Sequence, residues 1–360
     1  MISELASILL PSGFGVTRLA SNRVDDRIGI HMVTKPYDLT DAVTYHIGTF
    51  PPSALDYQVL LGPLEEAAAS LARYDTKMSG MVNSELFLAP LRRQDAVTSS
   101  RMEGTISTIE ELYRLEAEED AGSVDPYREA RNDDVETYLY SRALRNAQQA
   151  LAEGAPLGEH LIRTAHQQLL SFGRGARKRP GSYKVEQNYI GEERRGKIYY
   201  VPIAPEQLGP AMAELVRYIN ESSMRPLIRT AIAHVEFEAL HPFEDGNGRL
   251  HRFLFQDVLA RRGVTPNGAA LPISAAILDN MNAYDEALRD FSVRTMAKSV
   301  YTTNASGAVT LTNPSEVEPL WRFPDLTRQV EYLMTVMSRA IEVLPKELDY
   351  LRRYDRARAE

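Results

Sequence analysis

The 360-residue chain contains no cysteine, which excludes disulfides, thiol catalysis and thiolate metal sites and fits a reducing compartment. It has no stretch near the roughly 20 apolar residues of a membrane helix. The start, Met1 to Pro11, lacks the basic region of a signal peptide. Positive charge is not in excess, and the net charge of −8 argues against a broad nucleic-acid-binding face. These absences predict a cytoplasmic protein that binds neither membranes nor nucleic acids.

Composition and periodicity predict a mostly α-helical fold with one β-hairpin. With 44% hydrophobic and 25% charged residues, the chain is typical of globular proteins, and its length allows two or three packed units. Apolar residues recur at helical spacing in most segments. Helices are predicted over residues 54–72, 84–98, 107–118, 125–154, 157–170, 205–219, 228–240, 249–262, 277–290 and 330–341.

Local signals set several of these predicted boundaries. Ser107 to Glu110 is a capping box that starts a helix, and Asp125-Pro126 pairs a cap residue with a first-turn proline. Two β-prone runs around a polar tip predict the hairpin over about 183–201. Residues 302–324 are predicted to be a loop, with a possible hairpin at Ala308 to Leu311.

The division of the chain follows from these patterns. We predict an N-terminal segment over 1–50, a helical region over 51–120, a core over 121–295 and a C-terminal helical region over 296–360. The N-terminal segment gives little periodic signal. Val33, Tyr45 and Ile47 are its candidates for short strands.

The most informative segment is His241-Pro-Phe-Glu-Asp-Gly-Asn-Gly-Arg-Leu-His-Arg252, which joins two predicted helices. A loop that runs into a helix N-terminus presents unpaired N–H groups and favours an anion. Arg249 and Arg252 share one face of that helix end, where cations are unfavourable unless an anion lies between them. His241 is a natural general base, because its pKa lies near working pH. The alternative for His241 alone is a helix-end histidine that bonds a carbonyl.

This segment fits the pattern HxFx(D/E)GNGRxxR at every fixed position, and the chain therefore resembles the Fic family over roughly 50–300. The resemblance implies a Fic-type helical bundle with a β-hairpin flap beside the active site. It further implies transfer of AMP from ATP to a hydroxyl of another protein, with Mg²⁺ as the metal.

The resemblance also assigns roles within the loop. His241 is expected to deprotonate the target hydroxyl, and Asp245 is expected to hold Mg²⁺. The backbone of Gly246 to Gly248 forms the phosphate cradle, in which Asn247 donates to the α-phosphate. Arg249 and Arg252 are expected to hold the β- and γ-phosphates. Phe243 is expected to anchor the loop in the core.

A second element, Ser99-Ser-Arg-Met-Glu103-Gly104, resembles the family's inhibitory pattern (S/T)xxxE(G/N). The inhibitory helix is expected over about 91–104. The resemblance implies that Glu103 pairs with Arg252 and occupies the γ-phosphate position. Because this element precedes the active loop in the same chain, the chain resembles the class with an intramolecular N-terminal inhibitory helix.

Two further sites are implied by resemblance. The flap is expected to pair with an extended target segment, with Lys197, Ile198 and Tyr199 as target contacts. Its alternative is an ordinary surface hairpin. Tyr284 is expected to line the adenine pocket, with core packing as the alternative. The chain has Tyr284-Asp285 where the family often has paired tyrosines.

Three functions are compared on this basis. The first is a protein adenylyltransferase restrained by Glu103, acting on an unidentified target or on itself, with homodimerisation possible. The second is a phosphodiesterase that removes AMP, or an enzyme with both activities. The third is a nucleotide-sensing module that binds partners, which would have no need of the base His241. The sequence identifies neither the target nor the modified residue type.

Overall fold

The computed structural model describes residues 16–17, 43–44, 50–52, 54–79, 85–122, 127–173, 175–192, 197–265, 271–303, 309–322 and 324–359. Within these ranges the chain is mostly helical, as predicted. The α-helices are α1 Tyr57–Ser79, α2 Glu85–Met102, α3 Ile109–Asp120, α4 Asn132–Ala152, α5 Glu159–Leu169, α6 Pro205–Glu221, α7 Pro226–Leu240, α8 Asn247–Arg261, α9 Ile273–Leu278, α10 Met281–Met296, α11 Pro314–Arg322 and α12 Thr327–Ala359. The strands are β1 Val16–Thr17, β2 Val43–Thr44, β3 Tyr189–Glu192, β4 Lys197–Val201, β5 Tyr301–Thr303 and β6 Val309–Leu311.

Helix α8 lies at the centre of the fold. Residues 247–259 are all buried, including charged and amide side chains. It packs against α7, and α2, α4 and α5 also contact it. Buried polar groups need partners, and α8 finds some of them on neighbouring helices: Gln256 donates to Asp95 of α2 over 2.8 Å. The helix is therefore fixed by polar contacts as well as by apolar packing.

The two ends of the helical region pack on each other. Helix α12 lies along α1 and also contacts α7, α9 and α10. Its apolar face, which includes Val330, Leu333 and Met337, is buried. Helical spacing predicted the middle of α12, but the helix runs on through Pro345 to Ala359. The C-terminal region is thus part of the core packing in this chain.

Several predicted boundaries were wrong. Thr108 caps α3 in place of Ser107, since its hydroxyl accepts from Glu111 N over 3.3 Å. The helix predicted from Asp125 begins at Asn132, after a turn over 127–130. The helix predicted over 277–290 is two helices, α9 and α10, which are separated at Asp279 and Asn280.

Two other corrections concern loops and strands. The first hairpin strand begins at Tyr189, because Lys184 and Asn188 bond the end of α7 and the active loop instead. The segment predicted as loop over 302–324 contains β6 and the additional helix α11. Pro319 lies inside α11. Because proline is unfavourable in the interior of a helix, the sequence did not predict a helix there. Val33, Tyr45 and Ile47 lie outside the described residues.

The hairpin is the centre of a four-stranded sheet with the order β1-β3-β4-β2. Strands β3 and β4 are antiparallel, with Gly191 opposite Ile198 and Glu192 opposite Lys197. Strand β1 pairs with residues 189–190 of β3, and β2 pairs in parallel with residues 200–201 of β4. Both outer edges are therefore paired at the base of the hairpin.

Candidate active site

His241 ends α7 in a left-handed backbone conformation, with φ 47° and ψ 61°. Such a conformation is uncommon for a residue other than glycine and costs of order 1–3 kcal/mol. The side chain is 1% exposed, and its Nδ1 lies 3.7 Å from Glu238 Oε1. Among the described residues neither ring nitrogen has a hydrogen-bond partner. A strained residue with an unbonded ring fits a catalytic group.

Electrostatics keep the His241 ring neutral. Burial lowers its pKa to about 4, the Glu238 carboxylate opposes this shift, and the charge of Lys184 adds to it. A neutral imidazole can accept a proton at physiological pH. The ring therefore has the protonation state that a general base requires.

The loop after His241 is shaped by its own side chains. Gly246 precedes α8 with φ 77°, a conformation that favours glycine. Asn247 Oδ1 accepts from Phe243 N over 2.9 Å, and Asn247 Nδ2 donates to Phe243 O over 2.8 Å. These bonds commit part of the amide to closing the loop. The predicted bond from Asn247 to the α-phosphate stays a prediction.

Phe243 anchors the loop in the core, as predicted, and is fully buried. It stacks on His166 with ring centroids 3.7 Å apart. Gly181 N donates to His166 Nδ1 over 2.9 Å, so that Nε2 carries the hydrogen and donates to Asp245 O over 3.0 Å. Sequence reasoning missed His166. The available signal was a histidine on the apolar face of the amphipathic helix α5.

Asp245 is the candidate metal ligand. Its side chain is 43% exposed, and Oδ1 accepts from Gly246 N over 2.6 Å. No group of three or more acidic, histidine or cysteine residues suited to a metal occurs in the described part of the chain. A lone exposed carboxylate fits Mg²⁺ only where phosphate oxygens complete the coordination.

The two arginines of α8 have different surroundings. Arg249 is buried, and its Nε and NH1 have no hydrogen-bond partner among the described residues. The nearest carboxylates, of Glu136 and Asp245, lie 4.0 and 3.9 Å from its guanidinium nitrogens. Buried donors without partners are costly. This arrangement fits a group that is held ready for an anionic ligand.

Arg252 is bonded by Ser99 of α2 and by Glu103, which follows that helix. Its Nε donates to Ser99 Oγ over 2.7 Å, and its NH2 donates to Ser99 O over 3.0 Å and to Glu103 Oε1 over 2.7 Å. The structure therefore brings Arg252 together with Ser99 and Glu103, which precede it in the chain by about 150 residues. Helix α2 ends at Met102, and Gly104, with φ 79°, closes the turn that follows it.

The Glu103 carboxylate lies directly against the N-terminus of α8. A Cβ atom on Gly248 would be 1.9 Å from Glu103 Oε1. Any side chain at position 248 would therefore collide with the carboxylate. The glycine admits an anionic group to the helix end, where N–H groups and the helix dipole favour it.

Behind His241, a chain of buried polar groups extends through the core. Glu238 accepts from His251 Nδ1 over 2.5 Å, and His251 Nε2 lies 3.3 Å from Tyr284 OH. Tyr284 OH in turn lies 3.1 Å from His234 Nε2. Sequence reasoning assigned no role to His251. Tyr284 is 5% exposed and therefore lies in the core, as the alternative of core packing predicted. Its contact with adenine stays a prediction.

The flap lies beside this loop. Tyr200 OH donates to Ala239 O over 3.1 Å, which ties β4 to the end of α7. The side chains of Lys197, Ile198 and Tyr199 lie outside the described residues, so their predicted contacts with a target stay predictions. Only Tyr200 and Val201 of β4 pair with β2 in the described part of the sheet.

No helix in the described part of the chain combines the length and apolar character that crossing a membrane would need.

Comparison with known proteins identifies the family of two segments of the chain. Residues 61–149 match the profile of the Fic/DOC family N-terminal region, and residues 156–259 match that of the Fic/DOC family. The chain is similar to protein adenylyltransferase fic-1 of Caenorhabditis briggsae, at 36% identity over 89 residues, which is 24% of this chain and 16% of the relative. It is also similar to protein adenylyltransferase Fic of Drosophila ananassae, at 40% identity over 82 residues, which is 21% of this chain and 16% of the relative.

The matched segments span less than a fifth of these relatives. At the level of the fold, the chain resembles a Fic family protein from Desulfovibrio desulfuricans with a TM-score of 0.53 and 19% identity, covering 82% of this chain and 76% of that chain. The two profile matches belong to one family. Together they cover residues 61–149 and 156–259, which include both the active loop and the Glu103 element. The chain belongs to the Fic/DOC family.

Proposed function

We propose that this chain is an enzyme that transfers AMP from ATP to a hydroxyl side chain of a target protein, and that Glu103 restrains this activity. The observation that carries the proposal is the position of the Glu103 carboxylate. It lies at the N-terminus of α8, against Gly248 and 2.7 Å from Arg252. An acidic side chain thus occupies the N-terminus of α8, where Gly248, the helix dipole and the two arginines favour an anion. Displacement of the side chain would free that place for a terminal phosphate.

The proposed reaction uses His241 as the base. The target hydroxyl oxygen attacks the α-phosphorus of ATP in line, and the bond from that phosphorus to the α–β bridging oxygen breaks. Pyrophosphate leaves, and the hydroxyl proton passes to Nε2 of His241, the ring nitrogen that does not face Glu238. Arg249 and Arg252 hold the departing phosphates. Catalysis then consists of positioning and charge neutralisation.

Asp245 would hold Mg²⁺ in this scheme. Its half-exposed carboxylate would supply one protein oxygen, and phosphate oxygens and water would supply the rest. The ion would neutralise phosphate charge when bound. Gly246 N donates to Asp245 Oδ1, and this bond fixes the carboxylate beside the phosphate cradle.

The first test uses Glu103→Gly protein with cell lysate and ATP that is labelled at either the α- or the γ-phosphate. The proposal expects protein-bound label from the α-labelled ATP alone, and mass spectrometry should locate an AMP adduct on a hydroxyl residue. Glu103→Gly with His241→Ala is the matched control and should give no label. Label from the γ-phosphate would mean phosphoryl transfer, and absence of both labels would favour a nucleotide-sensing module.

The same material tests removal of AMP. The labelled target is isolated and incubated with the unaltered chain, whose Glu103 is present in the site. Release of free AMP would indicate a phosphodiesterase or an enzyme with both activities. Stable label would leave transfer as the sole reaction. Label on the chain itself would identify self-modification.

A further inference from the structure

The end of α7 is bonded by side chains from the flap and from the segment that leads into it. The last carbonyls of a helix have no partner within the helix. Here Tyr200 OH donates to Ala239 O over 3.1 Å, and Lys184 Nζ donates to Leu240 O over 3.2 Å. Both bonds come from outside α7. The helix end is therefore satisfied by the flap segment.

The same segment bonds the next three carbonyls. Asn188 Nδ2 donates to His241 O over 3.0 Å and to Phe243 O over 3.0 Å. Lys184 N donates to Pro242 O over 2.9 Å. Every carbonyl from 239 to 243 thus accepts a hydrogen bond from residues 184–200.

Asn188 can adopt only one orientation in this arrangement. Its Oδ1 accepts from Lys184 Nζ over 2.7 Å, and both bonds to the active loop come from Nδ2. Both Asn188 and Lys184 are buried. A reversed amide would place its oxygen against two carbonyls, which is unfavourable.

These bonds surround the strained residue. His241 keeps its φ of 47° only if neighbouring contacts determine it, because an unconstrained histidine prefers other conformations. The bonds from Asn188 lie on the His241 carbonyl and on that of Phe243, two residues later. They therefore fix the backbone on which the imidazole stands.

From this geometry we infer that Asn188 and Lys184 are positioning residues for His241 and that they couple the flap to the catalytic loop. Neither residue touches the reacting atoms. The inference rests on the proposed function, since His241 is taken as the base. A target segment that moves the flap would thereby change the position of His241.

The test compares two adjacent amides in the Glu103→Gly background. Asn188→Leu removes the donors to the active loop. Gln187→Leu is the matched control, because Gln187 Nε2 donates to Asn188 O and Pro202 O, which lie outside the active loop. Circular dichroism and thermal melting check that each variant folds. Asn188→Asp, which keeps the volume and the Lys184 contact, replaces the leucine variant if that one does not fold.

The inference expects a fall in kcat for AMP transfer of about 10- to 100-fold, since small misplacement of a catalytic group has effects of this size. The Kd of ATP should stay within about threefold of the parent, because the phosphate-binding groups are untouched. The Gln187→Leu enzyme should keep the parent kcat. Equal losses in the two variants, or a loss confined to ATP binding, would overturn the inference.

A second readout does not depend on activity. Long-range ¹H–¹⁵N spectra of labelled histidines report the environment of each ring, and the His241→Ala spectrum identifies the His241 signals. Asn188→Leu should shift these signals, and Gln187→Leu should leave them in place. If the signals are unchanged in a folded Asn188 variant, the positioning role is wrong. An inactive Glu103→Gly parent would contradict the proposed function, and these spectra would still decide the inference.

Discussion

Glu103 Oε1 lies 2.7 Å from NH2 of Arg252, although the two residues belong to different helical regions of the chain. The same carboxylate lies against Gly248 at the start of α8. The contact joins the two parts of the chain that match the family N-terminal and Fic/DOC profiles. One ion pair thus connects the element expected to inhibit with the element expected to bind phosphate.

Removal of this carboxylate should increase AMP transfer. A charge-assisted hydrogen bond is worth about 1.5–3 kcal/mol, so Glu103→Gly should raise the initial rate by roughly 10- to 100-fold. The rate is measured with α-labelled ATP at a subsaturating concentration. Glu103→Gln, which keeps the shape without the charge, should give an intermediate rate. Equal rates in all three folded proteins would remove Glu103 from the mechanism.

Replacement of Arg249 should separate stability from binding. Arg249→Met removes the buried Nε and NH1 donors, which lack hydrogen-bond partners among the described residues. It also leaves the buried Glu136 carboxylate without the cation 4.0 Å away. Because these effects oppose each other, the free energy of unfolding of the ligand-free protein should differ from that of the parent by less than about 1 kcal/mol. The same change should weaken ATP binding at least tenfold. Chemical denaturation and calorimetric titration measure the two effects. A destabilised variant with normal ATP affinity would show that Arg249 has a structural role instead.

The rate of AMP transfer should withstand mild acid. Burial lowers the pKa of His241 to about 4, so the base stays neutral well below pH 6.5. Activity should therefore fall only as the pH approaches about 4. Lys184→Met removes a nearby positive charge and should move the acid limb to higher pH. The measurement is kcat of the Glu103→Gly enzyme from pH 4 to 8, with circular dichroism at each pH. A midpoint near 6.5 would contradict the assignment.

His166 should contribute stability that is lost in acid. Burial lowers its folded-state pKa to about 4, below the value of about 6.5 in the unfolded chain. The unfolded state therefore binds the proton first as pH falls. The contribution is complete above pH 6.5 and is lost down to about pH 4, with a slope near 1.4 kcal/mol per pH unit.

Denaturation of the parent and of His166→Gln at several pH values checks this expectation. The variant should have a shallower dependence of the free energy of unfolding on pH between 6.5 and 4. Since His166 bonds Asp245 O and stacks on Phe243, the variant should also lose AMP transfer. Parallel pH curves for the two proteins would mean that His166 titrates normally.

The sequence by itself predicted the residues of the candidate site and determined most of the helices. In the segment from His241 to Arg252, the spacing of the residues predicts an anion-binding site, because a loop that enters a helix places glycines and arginines at one helix end. Helical periodicity located α5, α6, α7 and α8 to within a few residues. These features depend on neighbours in the chain, and local sequence therefore contains them.

Tertiary structure decided which distant groups meet. The bonds from Lys184 and Asn188 to the active loop, and the stacking of His166 on Phe243, join residues that are 50 or more positions apart. No local pattern specifies such pairs, because each depends on how whole helices pack. The same packing fixed the left-handed backbone of His241. The sequence thus identified the candidate catalytic and binding groups, and the packing of the whole chain determined their positions.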